Sequence, residues 1–329
     1  ERDVSHPLPY DLVVIDEASM VDLALMRALF DALPPAATLI LVGDPDQLVS
    51  VSAGSVLADL VAAAADGALA RRHVRLQHVW RTEGRLADVY ETVRGGNGGS
   101  LAALIAERAG AELHAVDSPV ALGNRLRAWL ARPHWAELSA LCAAPAADAA
   151  AAFAALRRLQ LLTALRGTRF GAEAINDWID AELRRAHGEA RWYPGRPLLV
   201  RHNDYSRRLY NGDVGLTLRQ GDELRVCFES SDAEGQISYR YLSPRELPEH
   251  DLGYALTIHQ SQGSEYEHVA VLLPPEADHR ILSRQLLYTG VSRARRSVEI
   301  WADAGSLATA LTRISVRRGG LRRRLQALC

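Results

Sequence analysis

Asp11-Leu-Val-Val-Ile-Asp-Glu-Ala-Ser-Met20 is the stretch on which the reading of the fold turns. An apolar, β-branched run, Leu12 to Ile15, stops at two adjacent carboxylates, Asp16 and Glu17. Such a run reads as a strand buried on both faces of a parallel sheet. The carboxyl edge of such sheets is where open α/β folds bind their ligands. One carboxylate there can hold Mg²⁺, directly or through water, while its neighbour orients and deprotonates an attacking water. Phosphoryl transfer on a nucleotide needs that division of labour. The plainer reading is a buried strand and an acidic helix start, with Glu17 favouring the helix dipole.

Working outward, Val21, Leu23, Leu25, Met26, Leu29 and Phe30 recur at helical spacing, and Pro34-Pro35 stops the helix. A second buried strand, Thr38 to Val42, ends in Gly43-Asp44-Pro45-Asp46-Gln47-Leu48. Gly-Asp-Pro alone is an ordinary β-turn. Two parallel strands about thirty residues apart, each ending in polar groups suited to a nucleotide–metal site, are a rarer event than either alone. Ser52-Ala53-Gly54-Ser55 opens a helix to about Ala65, and His73 to Arg81 alternates like a strand. Trp80-Arg81 at its end could stack on a base and stabilise charge on a transferring phosphoryl group. For Arg81 alone a surface ion pair is the simpler role. Leu86 to Val93 reads as a short helix, and Gly95-Gly96-Asn97-Gly98-Gly99 as an interdomain hinge.

From Ser100 to about Leu159 the chain is alanine-rich and helical, with no chemistry in view. Leu159 to Arg166 restarts an α/β pattern as a strand, followed by a helix from Ala172 to Leu183. Between Arg196 and about His250 short alternating segments are parted by turn signals such as Asn211-Gly212, the pattern of a small β unit. Tyr254 to Tyr266 runs from apolar residues into the polar cluster Thr257, His259, Gln260, Ser261, Gln262 and Gly263, with strand His268 to Leu273 beyond. A lone His259 is usually structural, but this cluster is dense in hydrogen-bonding groups. Gln285 to Arg296 reads as a helix that sets Arg293 one turn after Thr289 and Gly290, before a closing strand, Ser297 to Trp301.

The 329 residues suffice for two or three domains, and a formal charge of −2 excludes a global basic field. All 38 basic residues are arginine. A P-loop needs Gly-x-x-x-x-Gly-Lys, so this sequence holds none. It opens at Glu1, about ten residues before the first strand, and is expected to be truncated upstream. Cys142, Cys227 and Cys329 have neither ligand spacing nor even pairing, which argues against zinc and disulfides and for a reducing cytoplasm. The broken alanine run from Ala143 to Ala155 is too short to span a membrane.

With these residues laid out, the chain resembles superfamily-1 DNA helicases of the RecD branch. Asp16-Glu17-Ala18-Ser19-Met20 with Asp22 resembles motif II, and Gly43-Asp44 with Asp46-Gln47-Leu48 and Ala53-Gly54 resembles motif III. Trp80-Arg81 matches that branch's aromatic–Arg pair, and Gly195-Arg196-Pro197 through Asn211-Gly212-Asp213 resembles the segment before motif V. Thr257 to Tyr266 resembles motif V, and Tyr288 to Arg296 motif VI.

The resemblance implies an α/β fold with two RecA-like P-loop-NTPase-type domains, the first truncated, and a small β-rich insertion in the second. Residues 1–94 would belong to the first domain, 95–158 to the hinge and helical segment, 159–200 with 251–329 to the second domain, and 201–250 to the insertion. It implies ATP and Mg²⁺ in the cleft between the domains and 5′ to 3′ stepping on single-stranded DNA in double-strand-break repair. Asp16 would hold Mg²⁺, Glu17 would activate water, Gln47 would sense the γ-phosphate, and Arg81 and Arg293 would act as arginine fingers. Trp80 would flank the adenine, Gly263 and Glu265 would bind the nucleotide, and Thr257, His259, Gln260 and Ser261 would meet DNA. Gln260 stands where the branch usually has lysine. Expected partners are DNA, single-stranded or at duplex ends, and RecB- and RecC-type subunits, with no membrane. A stand-alone helicase or a passive DNA- or subunit-binding scaffold is the alternative, and without the P-loop the fragment alone is expected to be inactive.

Overall fold

The computed structural model describes residues 2–49, 54, 56–65, 69–76, 85–232, 235–315 and 320–327. β1 (Leu12–Ile15) and β2 (Thr38–Leu41) pair in parallel, Leu12 opposite Thr38 through Ile15 opposite Leu41. Between them runs α1 (Leu23–Ala32), capped by the Asp22 carboxylate, which accepts from Leu25 N–H. α2 (Val56–Ala65) packs beside the single 3₁₀ turn Ala18–Met20 that follows β1.

The first strand departs from expectation. Leu12 and Val14 are each 54% exposed, and Ile40 and Val42 are each 44% exposed. The parallel pairing puts these side chains on one face of a two-stranded sheet, and no described element covers that face. The apolar run thus makes a strand without making it buried on both sides. The described part of the expected strand at 73–81, His73 to Leu76, lies outside any sheet, and residues 77–81 are outside the described residues.

The larger layer begins after two helices, α3 (Leu86–Gly95) and α4 (Gly98–Ala106). Gly96, at φ +70°, ends α3, and the Asn97 side chain accepts from Ser100 N–H to start α4. The glycine run is therefore a tight helix–helix corner, with Gly98 and Gly99 inside the first turn of α4. Next come β3 (Ala111–Ala115), α5 (Pro119–Leu130), α6 (Pro133–Ala143), α7 (Ala149–Leu156), β4 (Leu159–Thr163) and α8 (Ala172–Ala186). β3 is a strand inside the stretch expected to be purely helical. An antiparallel sheet follows from β5 (Pro197–Val200), β6 (Val214–Gln220), β7 (Glu223–Ser231), β8 (Ile237–Leu242) and β9 (His250–Leu252). The chain closes with β10 (Ala255–Thr257), β11 (Tyr266–Leu272), α9 (Arg284–Val291), β12 (Ala294–Ala302), α10 (Ala304–Thr312) and α11 (Leu321–Gln326).

The parallel sheet runs β10-β4-β11-β12-β3, and the antiparallel one runs β8-β7-β6-β5-β9. Both faces of the parallel sheet are covered, as parallel sheets require. Leu162, Val269, Val271, Val298 and Ile300 face α3, α4, α9 and α10. Leu159, Leu161, Ala270, Leu272 and Trp301 face α5 to α8. α3, expected within the first domain, packs on this second sheet through Leu86, Val89, Tyr90 and Val93. A buried polar cluster joins the antiparallel sheet to it: Tyr193 Oη donates to Asp180 (2.7 Å), shares a hydrogen bond with Tyr254 Oη (2.5 Å), and Arg196 Nε donates to Asp180 (2.9 Å).

His134, at the start of α6, is 8% exposed, and neither ring nitrogen finds a partner among the described residues. Burial pushes its pKa down from 6.5 to about 4. The unfolded chain therefore binds the extra proton between those values, and stability falls as pH drops from 6.5 towards 4. His134→Leu is expected to flatten that slope in urea unfolding across the same range. An unchanged slope would place the proton uptake elsewhere.

Candidate functional site between the two parallel sheets

Asp16 and Glu17 sit where β1 ends. Asp16 is exposed, and its Oδ1 accepts from Glu17 N–H at 2.8 Å. Glu17 has φ 50° and ψ 38°, a left-handed conformation that a non-glycine residue rarely holds. The strained turn directs Ala18 N–H to Val42 O at 2.9 Å, which ties the ends of both strands together. Gly43 lets the Gly-Asp-Pro segment approach that turn closely. A Cβ there would lie 3.1 Å from Ala18 N and 3.2 Å from Ser19 N. Among the described residues neither carboxylate has a basic partner. An acid pair at a strand end, Asp16 exposed and Glu17 half-buried, suits a hard cation, which takes carboxylate oxygens and keeps several waters. Asp16 is the residue that would hold Mg²⁺.

The segment from Gly43 to Leu48 runs from that acid turn to the second sheet. Gln47 and Leu48 are buried. Arg293 Nη2 donates to Gln47 Oε1 at 3.0 Å, and Leu48 N–H donates to Thr289 Oγ1 at 2.8 Å. Gln262 Nε2 donates to Leu48 O at 2.9 Å. Tyr288 Oη donates to Asp44 Oδ2 at 2.9 Å. Gln47 and Arg293, expected to face one nucleotide, are thus brought into direct contact.

Arg293 does not lie on the helix expected over 285–296. α9 ends at Val291, and β12 begins at Ala294 because that stretch pairs with β11. Arg293 sits in the two-residue connection and is 1% exposed. Its guanidinium donates to Thr289 O (3.2 Å) and Ser264 O (3.3 Å) as well as to Gln47.

The remaining expected site residues divide. Gln260 folds back on its own turn, its Oε1 accepting from Thr257 N–H (2.9 Å) and Thr257 Oγ1 (3.0 Å). Ser261 is fully buried and donates to Ile258 O at 2.8 Å, so it shapes the loop from inside. His259 is half-buried on the same loop. Gly263 takes φ +79°, which its side-chain-free backbone allows. With Glu265 it lines a cavity of about 640 Å³ bounded also by Gly212 and Asp213, just before β6, and by Glu229 of β7. Arg295 Nε donates to Glu265 at 2.7 Å. Trp80 and Arg81 lie outside the described residues. Sequence reasoning missed the Tyr288–Asp44 bond and the Thr289 hydroxyl. Both residues stood within recognised motifs, but partners 244 and 241 positions away leave no local signal.

Residues 4–118 match the family model described as an AAA domain, and residues 252–300 match the UvrD-like helicase C-terminal domain. The second of these matches likens the part of the chain that carries Arg293 to a helicase domain. The chain is 40% identical over 333 residues to the RecBCD enzyme subunit RecD of Mycobacterium tuberculosis, covering 99% of this chain and 55% of that protein. It is 34% identical over 297 residues to the ATP-dependent RecD2 DNA helicase of Deinococcus radiodurans, covering 88% of this chain and 36% of that one. A Pif1 helicase from Bacteroides, solved with ADP-AlF3 and single-stranded DNA, aligns at TM-score 0.49 with 16% identity, covering 99% of this chain and 76% of that one. By sequence this chain is similar to RecD proteins along almost its whole length. It spans about half the length (55%) of the curated RecD proteins of Mycobacterium tuberculosis and Mycolicibacterium smegmatis.

Thr289→Val keeps the shape of the side chain but leaves the Leu48 N–H without its acceptor. A stability loss of about 1–3 kcal/mol is expected in denaturant unfolding. A variant as stable as the parent would show that water replaces the hydroxyl, and that the bond does not hold the two sheets together.

Proposed function

We propose that this chain is most of the motor core of a RecD-type, ATP-driven DNA helicase. The observation that carries the reading is the direct bond between Gln47, at the end of the first sheet, and Arg293, on the second. That contact brings together, from the two sides of the cleft, the two residue types that a γ-phosphate needs, a sensing amide and a cation. Glu17 accepts the proton of the attacking water. Gln47 and Arg293 meet the γ-phosphate from the two sides of the cleft, and Arg81 adds a second positive charge. Mg²⁺ held at Asp16 supplies neutralisation of the phosphate oxygens. Trp80 flanks the adenine, Gly263 and Glu265 take the ribose side, and the loop of Thr257, His259, Gln260 and Ser261 couples cleft to DNA.

The direction is 5′ to 3′ on single-stranded DNA and the setting is double-strand-break repair, in the cytoplasm. The partners are RecB- and RecC-type subunits, in line with the names of the relatives. Similarity to a protein named RecD2 DNA helicase supports, as a second reading, a motor that works without them. Co-purification with RecB- and RecC-type subunits decides between the two.

In the full-length protein, Glu17→Gln is expected to lower DNA-stimulated ATP turnover by about 10²–10⁴-fold with nucleotide affinity retained. DNA binding without stimulated turnover in the parent would support a passive scaffold instead. The 329-residue chain alone, which lacks lysine and hence any P-loop, is expected to hydrolyse ATP negligibly. Robust metal-dependent turnover by it would refute the need for that loop.

A further inference from the structure

Asp44 is the junction of the cleft. Its Oδ1 accepts from Asp46 N–H at 2.9 Å, while its Oδ2 accepts from Tyr288 Oη at 2.9 Å and from Gln47 Nε2 at 3.4 Å. A carboxylate is acceptor-only, so the Gln47 amide must turn its NH₂ to Asp44 and its oxygen to Arg293. The four side chains form one line across the cleft: Tyr288 to Asp44 to Gln47 to Arg293, with both ends on the second sheet.

We propose that Tyr288 and Asp44 are a positioning pair, which parks Gln47 on Arg293 and releases its amide to the γ-phosphate without parting the two sheets. The inference rests on the ATPase reading above. The bond lengths set which of the two bonds to Asp44 is the weaker. At 3.4 Å the Gln47–Asp44 bond is at the weak limit of hydrogen bonding, whereas Tyr288–Asp44 at 2.9 Å is charge-assisted and short enough to persist. Gln47 is therefore the member that exchanges, giving up Asp44 for a phosphate oxygen. Asp44 keeps Tyr288 and the Asp46 amide. Burial first, and then the Asp44 charge, hold the Tyr288 phenol well above the usual tyrosine range, so it stays a donor. Leu48, one residue further on, is fixed to Thr289 and Gln262, so the backbone carrying Gln47 is pinned on the same side. The side chain alone is left to move.

The test uses the full-length protein with single-stranded DNA. Tyr288→Phe removes one hydroxyl, and Asp44→Asn replaces the acceptor with an amide of equal size. Each is expected to lower kcat for ATP about tenfold or more, with the Kd for ADP changed less than about twofold. The double variant is expected to be no slower than the slower single, because both break one line of bonds. Parental kcat in either single variant, or losses that multiply in the double, overturns the proposal. Thermal melts check folding, and if Tyr288→Phe does not fold, Asp44→Asn carries the same comparison of kcat with Kd. Glu17→Gln separates the two levels of inference. If it leaves turnover intact, the ATPase reading fails. If it abolishes turnover while Tyr288→Phe does not slow it, only the positioning pair fails.

Discussion

An arginine sealed from water governs this molecule. A guanidinium cannot shed its charge, and taking it out of water costs several kcal/mol unless acceptors surround it. Arg293 meets that demand with Thr289 O, Ser264 O and Gln47 Oε1. Two of those acceptors are backbone carbonyls, Thr289 in α9 and Ser264 in the loop before β11, and the third comes from beyond the end of the first sheet. Withdrawing the Gly43–Leu48 segment would strip the cation of one acceptor. It would also leave Leu48 N–H and Tyr288 Oη without their partners. Electrostatic necessity therefore draws the two sheets together. The same necessity makes the cleft receptive to an anion that can replace Gln47.

The second sheet can carry this charge because it is rigid. β4 is buried along its whole length, and helices cover both of its faces. The antiparallel sheet is tied to it through Asp180, Arg196, Tyr193 and Tyr254. Tyr254 lies just ahead of β10, whose end opens into the Thr257–Ser264 loop. Ser264 O of that loop accepts from Arg293, so the loop spans from the antiparallel sheet's anchor to the buried cation. A displacement of either would be felt by the other through a short, well-bonded path.

Much of this order was legible in the residues. Apolar runs bounded by turns located β1, β2, β4 and β11, and alternation located β5 to β8. β3 was missed because Ala-Glu-Leu-His-Ala carries no strand signal of its own; it exists by pairing with β12 at the sheet edge. The helix expected through Arg296 was cut short for the converse reason. Arg-Ala-Arg-Arg favours a helix locally, but β11 recruits Ala294 onward as a strand. Local patterns likewise singled out Asp16, Glu17, Gln47 and Arg293, yet gave no hint that Gln47 and Arg293 touch. Gln260 and Ser261 were legible as polar loop residues, but not the bonds that Gln260 Oε1 and Ser261 Oγ make inside the turn.

The uncovered face of the small sheet has a practical consequence. Leu12, Val14, Ile40 and Val42 present apolar side chains to water, and β1 and β2 each leave one edge unpaired among the described residues. Open edges next to greasy surface are templates for strand addition. Handled on its own, this chain would be sticky at that spot, and self-association would start there while the well-covered second sheet stayed intact.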